Sequence, residues 1–104
     1  MTAIPNYATL IEATFSALKL LGGSGKNDEI NSKVAEILEL SNEVQDIPHL
    51  NSSSLSEVNY RCAWARTILK NYGALENSAR SVWTIKPEFT GIDSVDGAIV
   101  EKFR

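Results

Sequence analysis

The stretch SLSEVNYRCAWARTILKNYG, residues 54–73, decides the fold. Ser54-Leu55-Ser56-Glu57 has the form of a capping box, in which the Ser54 hydroxyl accepts from the Glu57 amide while the Glu57 side chain reaches back. Val58, Cys62, Ala65, Leu69 and Tyr72 then recur at spacings of 4, 3, 4 and 3, the single stripe of an amphipathic helix. Gly73 supplies the stop. Beyond it, Ala74-Leu75-Glu76 and Ser81-Val82-Trp83-Thr84-Ile85 read as two strands about a turn at Asn77-Ser78-Ala79-Arg80. Trp83 and Ile85 share a strand face that should pack on the helices, while Val82 and Thr84 point the other way.

Upstream, Tyr7, Leu10, Ile11, Thr14, Phe15, Leu18 and Leu21 follow helical spacing and predict a first helix from Asn6 to Leu21. Gly22-Gly23-Ser24-Gly25 ends it, and the segment from Gly23 to Asn27 has room for one very short strand. Asn27 is an apt N-cap for a second helix, with Asp28 and Glu29 in its first turn and Ile30, Val34, Ile37 and Leu38 on its buried face. A helical turn capped by Ser41 and a loop through Pro48 and Asn51-Ser52-Ser53-Ser54 follow. Downstream, Val95, Ile99 and Phe103 suggest a last helix from about Ser94, against which Gly97 counts by ~1 kcal/mol relative to Ala. Three helices followed by a hairpin is a mainly α arrangement with a small β-hairpin, the order of a winged helix-turn-helix, here with a long loop before its third helix.

Composition narrows the function. A chain of 104 residues, 43% hydrophobic, fits one compact domain. Its apolar runs are too short for a membrane span and its N-terminus has no signal-peptide pattern, so a cytoplasmic location is expected. The Asn51-Ser52-Ser53 sequon then has no glycosylation role. One Cys and one His cannot build a structural zinc site, and Cys62 lies on the helix's buried stripe, where a thiol is packing rather than a nucleophile. Gly22-Gly23-Ser24-Gly25-Lys26 is not a P-loop: Leu20 and Asn27 stand where glycine and Ser/Thr are required, and a helix precedes it instead of a strand. No cofactor or metal is expected. The net charge of −3 conceals a pattern. Residues 1–55 carry three Lys against seven acids, and residues 87–104 carry two bases against four. Residues 56–86 instead carry Arg61, Arg66, Lys70, Arg80 and Lys86 against Glu57 and Glu76, a basic block that suggests one positive face.

The run from Tyr60 to Asn77, with Arg80-Ser81-Val82-Trp83-Thr84-Ile85, resembles the N-terminal domain of the Mrr family of restriction proteins. Arg61, Trp64, Ala65, Leu69, Gly73, Leu75 and Glu76 match its helix and turn. Arg80, Val82, Trp83 and Ile85 match its strand, and Ser81 stands where the family usually has glycine. Pro5-Asn6-Tyr7, Glu39-Leu40-Ser41 and Ile47-Pro48-His49 also resemble it, so the likeness spans roughly Pro5 to Pro87. The resemblance implies a winged-helix DNA-binding module of a prokaryotic, modification-directed restriction endonuclease. In that family the module precedes a nuclease domain of the PD-(D/E)xK type. No Glu-x-Lys or Asp-x-Lys occurs here, and Glu101-Lys102 has the wrong spacing. This chain is therefore expected not to be an enzyme itself. Residues 1–90 would form the DNA-binding domain, and residues 91–104 a C-terminal helix or linker toward a catalytic domain beyond Arg104. The expected partners are double-stranded DNA and a second copy of the chain. The alternative is a winged helix used for protein–protein contact or dimerisation.

A wheel of the third helix, residues 55–72, centred on Ala65 puts Asn59, Tyr60, Ala63, Arg66, Thr67 and Lys70 on the face away from the core. In a major groove Arg reads guanine, Asn reads adenine, and Ala admits close approach. These six residues, with Arg80 at the tip of the 76–85 hairpin as wing, are the candidate DNA contacts. Arg61 falls on the core flank and is expected to serve the fold, paired with Glu57. Trp64 is expected to pack beneath the loop or wing.

Overall fold

The Asn6 side chain accepts from the Thr9 amide at 2.9 Å and opens α1 (Tyr7–Leu20) in a computed structural model that describes residues 3–50 and 54–104. Leu10, Ile11, Thr14, Phe15 and Leu18 are buried, as their spacing requires. Gly22 and Gly23 then take positive φ of 90° and 99°, which lets the chain reverse directly into β1 (Ser24–Lys26). α2 (Asn27–Ile37) follows at once and buries Ile30 and Val34 against α1. Its cap is Lys26, whose amide donates to Glu29 Oε1 at 2.8 Å. Asn27 is thus the first helical residue rather than the cap, and its side chain is committed elsewhere.

The long connection to the next large helix has its own order. Ser41 caps α3 (Asn42–Gln45), as its sequence suggests, and Val44 plugs into the core. The chain then forms a clip: His49 N donates to Leu55 O and Glu57 N to Ile47 O, both at 2.8 Å, with Pro48 paired to Ser56. Because the clip holds residue 55 in extended pairing, α4 (Glu57–Tyr72) begins later than the capping-box pattern predicts. Ser56 rather than Ser54 is the cap, accepting from Asn59 N at 3.1 Å, and the Glu57 amide that a Ser54 cap would take is given to Ile47 O. The sequon Asn51-Ser52-Ser53 lies outside the described residues.

α4 ends at Gly73, whose φ of 105° gives the left-handed cap. The hairpin follows with β2 (Leu75–Ala79) and β3 (Val82–Ile85), and β1 pairs along the free edge of β3, giving an antiparallel sheet of order β1-β3-β2. The first hairpin strand runs three residues past its expected end, to Ala79, because a bulge between Glu76 and Ala79 absorbs the extra chain. Asn77 Nδ2 fills the bulge, donating to Ala79 O at 2.9 Å and Val82 O at 2.7 Å. The turn is therefore at Arg80 and Ser81, and Ser81 has a φ of 64°, a left-handed conformation that glycine adopts more cheaply. A glycine would suit this position better, and Ser81 holds the conformation at some cost in backbone strain. Ile85 is buried as expected, while Trp83 is half-buried against the core.

The C-terminal segment returns to the body of the domain. Asp96 accepts from the amides of Ala98 and Ile99 and starts α5 (Gly97–Val100), which continues as a 3-10 turn over Glu101–Phe103. The buried residues are Gly97 and Val100, not Ile99, which is 51% exposed. The helix is shorter and rotated relative to the Val95–Ile99–Phe103 stripe because Gly97, with no side chain, seats directly on α1. The ring of Phe103 packs on Tyr72 of α4 with centroids 5.0 Å apart.

Candidate functional site

Four of the seven residues marked in the sequence lie on one outer flank of α4. Asn59 and Ala63 are exposed, and Tyr60 and Thr67 half-buried. The Tyr60 ring stacks on His49, centroids 3.6 Å apart, and its hydroxyl accepts from Trp64 Nε1 at 3.2 Å. Thr67 Oγ1 turns back to the Ala63 carbonyl at 3.2 Å. Tyr60, Ala63, Trp64 and Thr67 together line a shallow groove of about 170 Å³. Lys70 is exposed one turn on, where α4 meets the hairpin, and shares a hollow with Glu76, Asn77 and Lys86. Arg80 is exposed at the hairpin turn.

Arg66 does not belong with them. It is only 4% exposed, and Nη1 donates to Asn31 Oδ1 on α2 at 2.6 Å. Its guanidinium carbon lies 5.9 Å from the centroid of Trp83. The wheel placed it outward because it stands about 100° from Ala65, at the margin of the core arc. α2 and β3 close over that margin, so the flank is interior. Burial lowers the Arg66 pKa from its ordinary value, yet a guanidinium keeps its proton.

Arg61 behaves as the spacing suggests. Its Nε donates to Glu57 Oε2 at 2.8 Å and Nη1 to the Pro5 carbonyl at 3.2 Å. Trp64 is half-buried against the core, and Arg104 covers it, 4.6 Å from its ring centroid and 5.2 Å from that of Tyr7. Cys62 is fully buried, which pushes its thiol up to about 11, so it carries no thiolate chemistry at neutral pH. Among the described residues no group of three His, Cys, Asp or Glu is placed to hold a metal, and no helix is long and apolar enough to cross a membrane.

The clip and α4 share an ionic node. His49 Nδ1 lies 2.7 Å from Glu57 Oε1, with Arg61 on the other carboxylate oxygen. Hydrogen bonds from His49 and then Arg61 hold the Glu57 carboxyl below its ordinary 4.5. A depressed acid contributes stability that is fully present above its unfolded value and is lost as the pH falls through its folded value. Acid unfolding of the parent should therefore steepen below pH 4.5, and Glu57→Gln should be flatter there. Denaturant melts across that window check this; parallel profiles would mean that the node contributes nothing.

A family model described as the Mrr N-terminal domain matches residues 7–88. The chain belongs to this family. No curated protein and no solved structure matches it. Within the Mrr N-terminal domain the match runs from the start of α1 to the turn after β3, so it takes in α4, the hairpin and the clip. Membership suggests a role in the Mrr restriction system, and the part of such a protein that the match identifies is an N-terminal domain.

Sequence reasoning missed Asn27 and Asn31. Trp83 Nε1 donates to Asn27 Oδ1 at 2.8 Å, in parallel with the Arg66–Asn31 bond. The only signal was two asparagines four residues apart at the start of a helix, which reads as capping.

Proposed function

We propose that this Mrr N-terminal domain is a winged-helix DNA-binding module of a modification-directed restriction endonuclease. In this reading α4 docks in the major groove through Asn59, Tyr60, Ala63, Thr67 and Lys70, and the hairpin contacts the backbone through Arg80. Residues 1–90 carry the binding, and a separate domain carries the cleavage. The observation that carries the reading is the junction of α4 and hairpin, where exposed Lys70 shares a hollow with Glu76 and Asn77 of the hairpin and with Lys86 just beyond it, two cations to one acid. That junction lies within the basic block of an otherwise acidic chain. The order of helices and strands, with β1 on the hairpin's edge, also supports it.

Duplex affinity measured against salt tests it. Lys70→Ala and Arg80→Ala should each weaken binding to all sequences alike and flatten the log–log salt slope by about 0.9. Parent-like slopes in both variants would overturn the surface. A second reading, contact with another protein or a second copy, is favoured by the exposed Ile92, Ile99 and Phe103 and by the overall charge of −3. It takes the lead if the parent fails to bind duplex DNA.

A further inference from the structure

We propose that Asn27 and Asn31 form a paired amide-donor site on α2 that takes hydrogen-bond acceptors of a DNA strand, with Trp83 and Arg66 as the positioning residues beneath it. This rests on the DNA-binding reading and extends the contact surface from α4 and the hairpin to α2.

The chemistry of the two partners fixes the orientation of both amides. An indole N–H and a guanidinium N–H can only donate. Trp83 Nε1 at 2.8 Å and Arg66 Nη1 at 2.6 Å must therefore face the Asn27 and Asn31 oxygens. The NH₂ group of each amide then occupies the opposite branch. Among the described residues neither Nδ2 has an acceptor. The two residues are one turn apart on α2, so their Cβ atoms are about 5–6 Å apart on one helix face. They present two neutral donors side by side.

The support beneath them is rigid. Arg66 is buried, and its guanidinium lies over the face of Trp83, so the two donors hold each other as well as the asparagines. Arg66 has no carboxylate within ion-pair distance among the described residues, and its Nε is buried without a partner. Burying an unpaired cation is costly, and an apolar side chain would fill the space more cheaply. A role in orienting Asn31 accounts for a guanidinium there.

The surroundings indicate what binds. Asn27 N donates to the Ser81 carbonyl at 3.0 Å, so Asn27 sits at the hairpin turn beside Arg80, with exposed Lys26 preceding it. Asn31 borders a hollow of about 220 Å³ between α2, α3 and α4, shared with Asp28, Gln45 and Asn59. One end of the pair thus neighbours two cations, and the other neighbours the outer flank of α4. Acceptors on phosphodiester oxygens and acceptors on base edges are the two sources of this chemistry.

The test uses Asn27→Asp and Asn31→Asp. Each keeps an oxygen for the buried donor and replaces the outward NH₂ with an oxygen. Asn42→Asp, exposed at the start of α3, adds the same charge without touching the site. Against a panel of duplexes of differing sequence, each site variant should bind at least some members about tenfold more weakly than Asn42→Asp does. Asn31→Asp should also melt above the parent, because Arg66 gains a carboxylate. A uniform loss across sequences would assign the acceptors to phosphodiesters, and a loss confined to some sequences would assign them to base edges; either supports the site. In an Arg66→Met background the Asn31→Asp penalty should shrink, since the amide is no longer held. If that background does not fold, the melting temperature of Asn31→Asp tests the contact, and a fall overturns it. Site variants that bind like Asn42→Asp overturn the proposal while leaving DNA binding by α4 intact. A parent that binds no duplex overturns both.

Discussion

Gly97→Ala is expected to lower stability by about 3 kcal/mol and to lift residues 97–103 off the domain. A Cβ at this position would fall on the Ala8 carbonyl oxygen, with the Ala8 carbonyl carbon and Cα at 2.7 and 2.9 Å. All three are backbone atoms in the first turn of α1, so no side chain can move aside to make room. The same close approach lets Gly97 N donate to Glu12 Oε2 at 2.8 Å and lets Val100 bury completely. Displacing α5 would forfeit both, together with the Phe103 edge on Tyr72. Helix propensity argues the opposite sign, since Ala exceeds Gly by ~1 kcal/mol in a helix interior. The direction of the change therefore decides between local preference and tertiary contact. Thermal unfolding gives the sign, and limited proteolysis shows whether the C-terminal segment is released. A variant more stable than the parent would mean that α5 does not seat on α1.

What could be read from the sequence was whatever a single element determines alone. The stripes of α1 and α4, the Gly73 stop, the Ser41 cap and the two hairpin strands all depend on periodicity or local backbone chemistry, and each is present. The errors lie where a distant segment intervenes. Ser54 and Ser56 are both good caps, and the choice between them is made by the pairing of residues 47–49 with 55–57. Gly97 looks like a helix breaker until α1 lies against it. The hairpin turn moves from 77–80 to 80–81 because Asn77 satisfies a bulge with its own side chain, which spacing cannot reveal.

The candidate site was legible to the same extent. A wheel ranks residues by angle from one core point, and it separates Ala63 from Ala65 correctly. It fails at the margins, where the width of the buried arc is set by how many neighbours enclose the helix. α4 is enclosed on one side by α2 and β3, so the arc reaches Arg66 there. On the other side it leaves Trp64 half-buried, to be covered by Arg104. The asparagines of α2 could not be found this way, because their importance comes from donors 35 and 56 residues away in the chain.

Arg66→Ala is expected to destabilise the domain by about 3–4 kcal/mol, far more than Arg61→Ala. Truncation at 66 opens a cavity between α4, α2 and β3, strips the Trp83 face of its cation and leaves the Asn31 oxygen without its donor. Arg66→Met keeps most of the packed stem and discards the buried charge, so it should cost clearly less than Arg66→Ala. Arg61 is different. Its side chain is 30% exposed, and its bond to Glu57 is an i,i+4 pair, so Arg61→Ala should cost only about 1 kcal/mol. The order, with Arg66→Ala the most costly, follows from burial together with the partners each arginine loses and is measurable by urea denaturation. The wheel implies the reverse: Arg66 would be a surface base reader whose loss spares the fold, and Arg61 the structural arginine. Duplex binding measured on the same samples completes the comparison. An Arg66→Ala variant that unfolds like the parent but loses affinity for a preferred duplex would return Arg66 to the DNA-facing flank, and with it remove the support beneath Asn31.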